Sequence, residues 1–172
     1  MTKLTIRNNV TFAGATLLAL WLVLPLQALA AIFEGRVVGV ADGDTITVLD
    51  DSRVQRKIRL AGIDAPEKKQ PFGQRSKESL SDLVFNREVQ VETTKRDRYG
   101  REIGRVMVKG LDANLQQVKL GMAWHYKAYE REQSRNDRKT YSDAENESKA
   151  AKRGLWVDSD PVPPWEFRHK GK

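Results

Sequence analysis

Residues 41–48 read ADGDTITV. The second half of this stretch alternates, with Ile46 and Val48 on one face and Thr45 and Thr47 on the other. A period of two marks a half-buried strand. The flanking segments repeat it. Residues 33–41, FEGRVVGVA, are rich in β-branched side chains and alternate in part. Residues 54–63, VQRKIRLAGI, set Val54, Ile58 and Leu60 in phase, with Lys57 and Arg59 opposite. Asp50, Asp51 and Ser52 form a turn signal between two of these strands. The first half of the stretch is different. Asp42 and Asp44 flank a glycine at the tight start of a strand, where two acids repel each other and add nothing to a core.

Further along, Pro66 and Pro71 bracket a loop, and residues 73–85 read as a helix with Leu80, Leu83 and Val84 on one side. Strands follow at 88–94 and, after a turn at Arg98, Tyr99 and Gly100, at 101–108, where Ile103 and Val106 to Val108 supply the apolar positions. Residues 112–121 form a short helix, with Asp112 placed to cap its start and Gly121 to end it in the left-handed region. Residues 127–139 are almost wholly polar and read as a surface loop. From about Arg138 to Arg153, Tyr141, Ala144, Ser148, Ala151 and Leu155 recur at helical spacing, which places an amphipathic helix on the sheet. Gly154 ends this helix and Trp156 fills the core behind it; residues 158–172 read as an irregular tail. Five short strands with interleaved helices give an α+β or small-barrel class. A five-stranded Greek-key barrel of the oligonucleotide-binding type, with about three packed helices, fits the order.

The first thirty residues stand apart. Lys3 and Arg7 precede an apolar run over 10–26, and Ala28-Leu29-Ala30 closes it with a small-x-small pattern. This is the layout of a signal peptide cut after Ala30, which implies export to the periplasm or the medium. The remainder is one domain's worth of chain, the domain spanning 31–157. Residues 31–172 carry 28 basic against 23 acidic residues, +5, a modest excess that suits a polyanionic partner. The absence of cysteine excludes a disulfide framework. No histidine or cysteine cluster suits zinc; His125 and His169 are far apart, and each reads as a surface or core residue.

The remaining chemistry lies at strand ends. Asp42 and Asp44 open one strand, while Asp64 and Glu67 lie in the loop after another; Arg59 and Arg101 are nearby in pattern. Carboxylates with backbone carbonyls suit a hard cation such as calcium, which can polarise a phosphoryl oxygen. A carboxylate can activate water, and arginines match phosphate oxygens and developing negative charge. A phosphodiester is the substrate that calls for all three. Taken singly, each residue has a plain structural reading as turn or surface charge; the combination departs from chance.

The motifs VADGDTITV, IRLAGIDAPE, DRYGREIGRV, LGMAW and RGLW, in this order across about residues 34–156, resemble the thermonuclease or staphylococcal nuclease-like family in its small secreted bacterial form. The resemblance implies a five-stranded barrel and a calcium-dependent nuclease that hydrolyses DNA and RNA to leave 3′-phosphate ends. It implies metal carboxylates at Asp44 and Asp64 and a backbone carbonyl ligand at Ala65, where many members have threonine. Asp42 lies just beside the metal. Glu67 stands where the family has its general base or water-orienting residue, Arg59 and Arg101 where it has phosphate-gripping arginines, and Tyr99 near the sugar or terminal phosphate. Tyr126 and Tyr129 have no secure counterpart; either could stack a splayed base or pack against the loop. The loop after Glu67 is shorter than in the best-known members, which bears on strand preference and entry. Single-stranded substrates, a monomer and no stable protein partner are expected. Two other classes remain: a catalytically silent nucleic-acid-binding module of the same fold, which would be expected to have lost acids or arginines, and a calcium-stabilised structural domain, which would not need the paired arginines.

Overall fold

The computed structural model describes residues 31–170; the leader-like segment lies outside them. In chain order the elements are β1 (Ala31–Asp42), β2 (Thr45–Asp50), β3 (Gln55–Leu60), β4 (Ile63–Asp64), α1 (Gly73–Val84), β5 (Glu88–Arg96), β6 (Glu102–Val108), β7 (Leu111–Asp112), α2 (Ala113–Lys119), β8 (Trp124–His125), α3 (Arg135–Ala150) and α4 (Pro164–Lys170), with single 3-10 turns at Lys127–Glu132 and Gly154–Val157.

Strands run in the order β3-β2-β1-β5-β6, and a parallel pairing of β6 with β3 closes the ring. Closure removes the sheet edges, and the result is the five-stranded oligonucleotide-binding barrel. Alternation in sequence becomes inside and outside. Val37, Ile46, Val48, Ile58, Leu60, Val91 and Val106 fill the interior, with Leu80 and Val84 of α1, Val118 of α2 and Ala144 of α3 buried in the same cluster.

The remaining elements follow local rules, with some departures from expectation. The Asp112 side chain accepts from Leu115 N–H and caps α2, and Gly121 has φ of +66°. Val54 is 54% exposed, because β3 begins one residue after it. On β6 the buried set is Glu102, Gly104, Val106 and Val108, so Ile103 falls on the other face. α3 begins at Arg135, earlier than the apolar spacing suggests, because the Ser134 hydroxyl caps it by accepting from Asp137 N–H. The segment read as a polar loop therefore contains a 3-10 turn and the first residues of this helix. Trp156 is buried outside the barrel, in a second cluster with Trp124 and Leu155. The C-terminal stretch is not irregular throughout: Pro164 opens α4 from its first helical position, where its fixed φ suits a helix.

Candidate active site

The β2–β3 register sets Thr45 opposite Arg59, so the acid before one strand lies next to the arginine near the end of the other. The Asp42 carboxylate accepts from Asp44 N–H at 3.1 Å and holds the turn between them. Gly43 in that turn has no room for a side chain, since a Cβ would collide with Ser76 of α1 and with Ala65. The Asp-Gly-Asp turn is thereby pressed against the loop that carries Ala65. β4 brings Asp64 alongside through its pairing with Trp124 of β8.

Arg59 joins the two acids. Its Nη1 lies 2.9 Å from Asp44 Oδ2, and its Nη2 donates to Asp64 Oδ1 at 2.8 Å. It also donates to the carbonyls of Leu60 and Ile63 at 3.2 and 3.0 Å. Only 14% of its side chain is exposed, and both acids are buried. Asp44 accepts in addition from Ala65 N–H at 2.8 Å and from the Thr45 hydroxyl at 3.1 Å.

The Asp44 carboxyl is pushed up to about 7. Burial is the largest cause; Asp42 and Asp64 add to it, against the pull of Arg59 and the Ala65 N–H. Between about pH 4 and pH 7 such an acid is ionised in the unfolded chain and protonated in the fold. The native state binds the extra proton, so stability in the presence of chelator is expected to fall as pH rises through this window. Urea unfolding across the window checks it: Asp44→Asn should show a shallower fall, and an equal fall would remove Asp44 as its source.

Glu67 lies in a turn closed by Gln70, whose Oε1 accepts from Glu67 N–H at 3.1 Å while its own N–H donates back to the Glu67 carbonyl at 2.8 Å. Gly73 packs so closely on the Glu67 carbonyl that a Cβ there would overlap it, which fixes the turn against the start of α1. Arg101 stands on the other side of Thr45, with Nη1 3.5 Å from its hydroxyl. Its Nε donates to Asp97 Oδ2 at 2.7 Å. Burial opposes ionisation of Asp97, but bonds from the Arg101 side chain and from the N–H groups of Arg101 and Tyr99 outweigh it and hold the carboxyl below its ordinary range. Tyr99 is 69% exposed, with its ring 5.5 Å from the Arg101 guanidinium.

The expected residues thus gather at one end of the barrel, with two qualifications. Arg59 spends its guanidinium on the acids and on two carbonyls. Tyr126 is half-buried and stacks on Trp165 of α4, with centroids 5.5 Å apart, whereas Tyr129 is exposed and leans on Tyr126. His125 is a buried core residue whose Nε2 pairs with Gln133 at 2.8 Å.

The sequence reading missed one participant. Arg168 of α4 reaches the same acids, with Nη2 2.8 Å from Asp64 Oδ2, and Nη1 3.2 Å from Asp64 Oδ1 and 2.8 Å from Glu67 Oε1. Its signal was faint: a proline that suits a helix start, then Trp165 and Arg168 three apart on one helical face. Among the described residues no three acidic or histidine side chains converge to hold a metal ion, and the two guanidiniums lie on the carboxylate oxygens.

A family model described as Staphylococcal nuclease homologue matches residues 57–158. An uncharacterized endonuclease of Escherichia coli O157:H7 is 46% identical over 143 residues, 83% of this chain and 89% of that protein. A micrococcal nuclease of Shigella flexneri is 40% identical over 81% of this chain and 83% of its own length. With the closed barrel and the grouped acids and arginines, these likenesses establish that the chain belongs to the staphylococcal nuclease family.

Proposed function

We propose that the chain is a calcium-dependent nuclease that hydrolyses phosphodiester bonds of DNA and RNA, preferring single strands, and leaves 3′-phosphate ends. The observation that carries this is the meeting of Asp44, Asp64 and Glu67 with Arg59 and Arg101 at one barrel end. The nuclease names of its relatives support the same reading.

The donor set fits a hard cation. It consists of carboxylate and carbonyl oxygens, and burial together with Asp42 and Asp64 raises the Asp44 carboxyl against the pull of Arg59. Asp44, Asp64 and the Ala65 carbonyl would hold the ion. Calcium bound there supplies Lewis acidity at a phosphoryl oxygen. The chain's own groups do the rest. Glu67 takes the proton of the attacking water. Arg101, braced by Asp97, holds charge growing on the phosphate and on the departing 5′ oxygen. The second guanidinium of the clamp is that of Arg59, which the substrate phosphate shares with the acids. Tyr99 and Tyr129, both exposed, offer faces on which bases or sugars rest. The leader-like first thirty residues support export to the periplasm or the medium, and a monomer suffices for the site.

Incubating the purified protein with single-stranded DNA, first with calcium and then with a chelator, tests this. Cleavage that needs calcium and leaves 3′-phosphate ends is expected. Binding without cleavage by a folded protein would instead support the silent nucleic-acid-binding module.

A further inference from the structure

α4 is docked on the site by contacts that do not involve its charge. Trp165 lies against Trp124, with centroids 5.6 Å apart, and stacks on Tyr126. Ahead of the helix, the Val162 carbonyl accepts from Gln70 Nε2 at 2.6 Å, which ties this segment to the turn that carries Glu67. Arg168 follows Trp165 by three residues on the same helical face, so its guanidinium is delivered to the acids by a fixed support.

The occupancy of Asp64 matters most. Its Oδ1 accepts from both Arg59 and Arg168, and its Oδ2 from Arg168. One guanidinium nitrogen bridges on to Glu67, so Arg168 spans a metal carboxylate and the water-activating one. Asp64 is fully buried, so solvent offers it no compensation. A cation arriving at Asp64 meets oxygens already satisfied by a positive group. Both cannot hold Oδ2 at bonding distance without repelling each other. The Arg168 side chain is 41% exposed and has solvent to retreat into; Arg59, only 14% exposed and held by four acceptors, has little.

We propose that Arg168 is a further residue of the active site: a built-in cation that competes with calcium for Asp64 and Glu67 and sets the calcium concentration at which the enzyme switches on. This rests on the calcium reading above. Displacement of Arg168 also frees Glu67, so arrival of the metal and release of the base are a single event.

Calorimetric titration of calcium into the purified parent, Arg168→Gln and Arg168→Lys separates the outcomes. Arg168→Gln is expected to bind calcium about tenfold more tightly, the scale of one unit charge removed from a partly exposed site. Arg168→Lys should fall between, because an ammonium cannot pair with both Asp64 oxygens and reach Glu67. At limiting calcium Arg168→Gln should cleave faster than the parent. Equal or weaker calcium binding by Arg168→Gln would overturn the proposal while leaving calcium dependence intact. Absence of calcium binding in all three would overturn both. Should Gln loosen α4, seen as altered tryptophan emission, Arg168→Lys decides: tighter binding than the parent supports the competition, and unchanged binding ends it.

Discussion

Glu67→Gln is expected to cleave DNA about 10²–10⁴-fold more slowly than the parent, the usual contribution of a positioned general base. The substitution keeps the shape of the side chain. It leaves untouched the backbone bonds with Gln70 and the contact with Gly73 that position the turn. Neither Asp44 nor Asp64 changes, and calcium affinity should stay within a few-fold of the parent; glutamine gives up the ionic half of the contact with Arg168, which favours the metal slightly. Single-turnover rates at saturating calcium, with unfolding curves for both proteins, make the comparison. A rate close to the parent's would remove Glu67 from proton transfer.

The second large effect concerns stability. Arg59→Met deletes the guanidinium that joins two buried carboxylates and satisfies two carbonyls. Asp64 keeps Arg168, but leaving buried Asp44 without its cationic partner costs about 3–5 kcal/mol. Some of this is escaped when Asp44 takes a proton, which its upward shift makes easy near neutrality. Urea unfolding with chelator at a pH well above 7, where Asp44 is ionised in the parent, should therefore show the full loss. Arg59→Lys should remain folded but lose most of its cleavage rate, because one ammonium cannot span both acids in the geometry a phosphate also needs. A loss below about 1 kcal/mol in Arg59→Met, the scale of an exposed pair, would mean that Asp44 does not depend on Arg59 for its balance.

The strands were legible because their alternation is a direct image of inside and outside: Ile46 and Val48, then Ile58 and Leu60, are the positions the barrel buries. The cap at Asp112 and the left-handed Gly121 were legible because each is a local rule. The site acids and arginines were visible as types in order, and the β2–β3 register brought Arg59 to Asp44. What was not legible depended on tertiary partners. A sequence shows that Arg59 is charged, not that the acids beside it take up its donors. The Pro-Val-Pro-Pro run around residue 162 reads as loop, and a seven-residue helix after it is too short to announce itself by periodicity. Its order comes from an aromatic surface made by Trp124 and Tyr126, which exists only once β8 has paired with β4. α3 was read short because Ser134 caps it ahead of its first buried side chain.

The parallel seam between β3 and β6 has a bearing on how the molecule comes to life. It sets Arg59 beside Ile103, two residues after Arg101. The hairpins β1–β2, β2–β3 and β5–β6 join neighbours in the chain, whereas this seam and the β1–β5 pairing join distant segments and carry the larger loop-closure entropy. Until the seam zips, the guanidinium of one half and that of the other are strangers, and a nascent or partly refolded chain holds no complete cutting centre. Barrel closure is thus also a safety catch, and the return of activity is a clock for it.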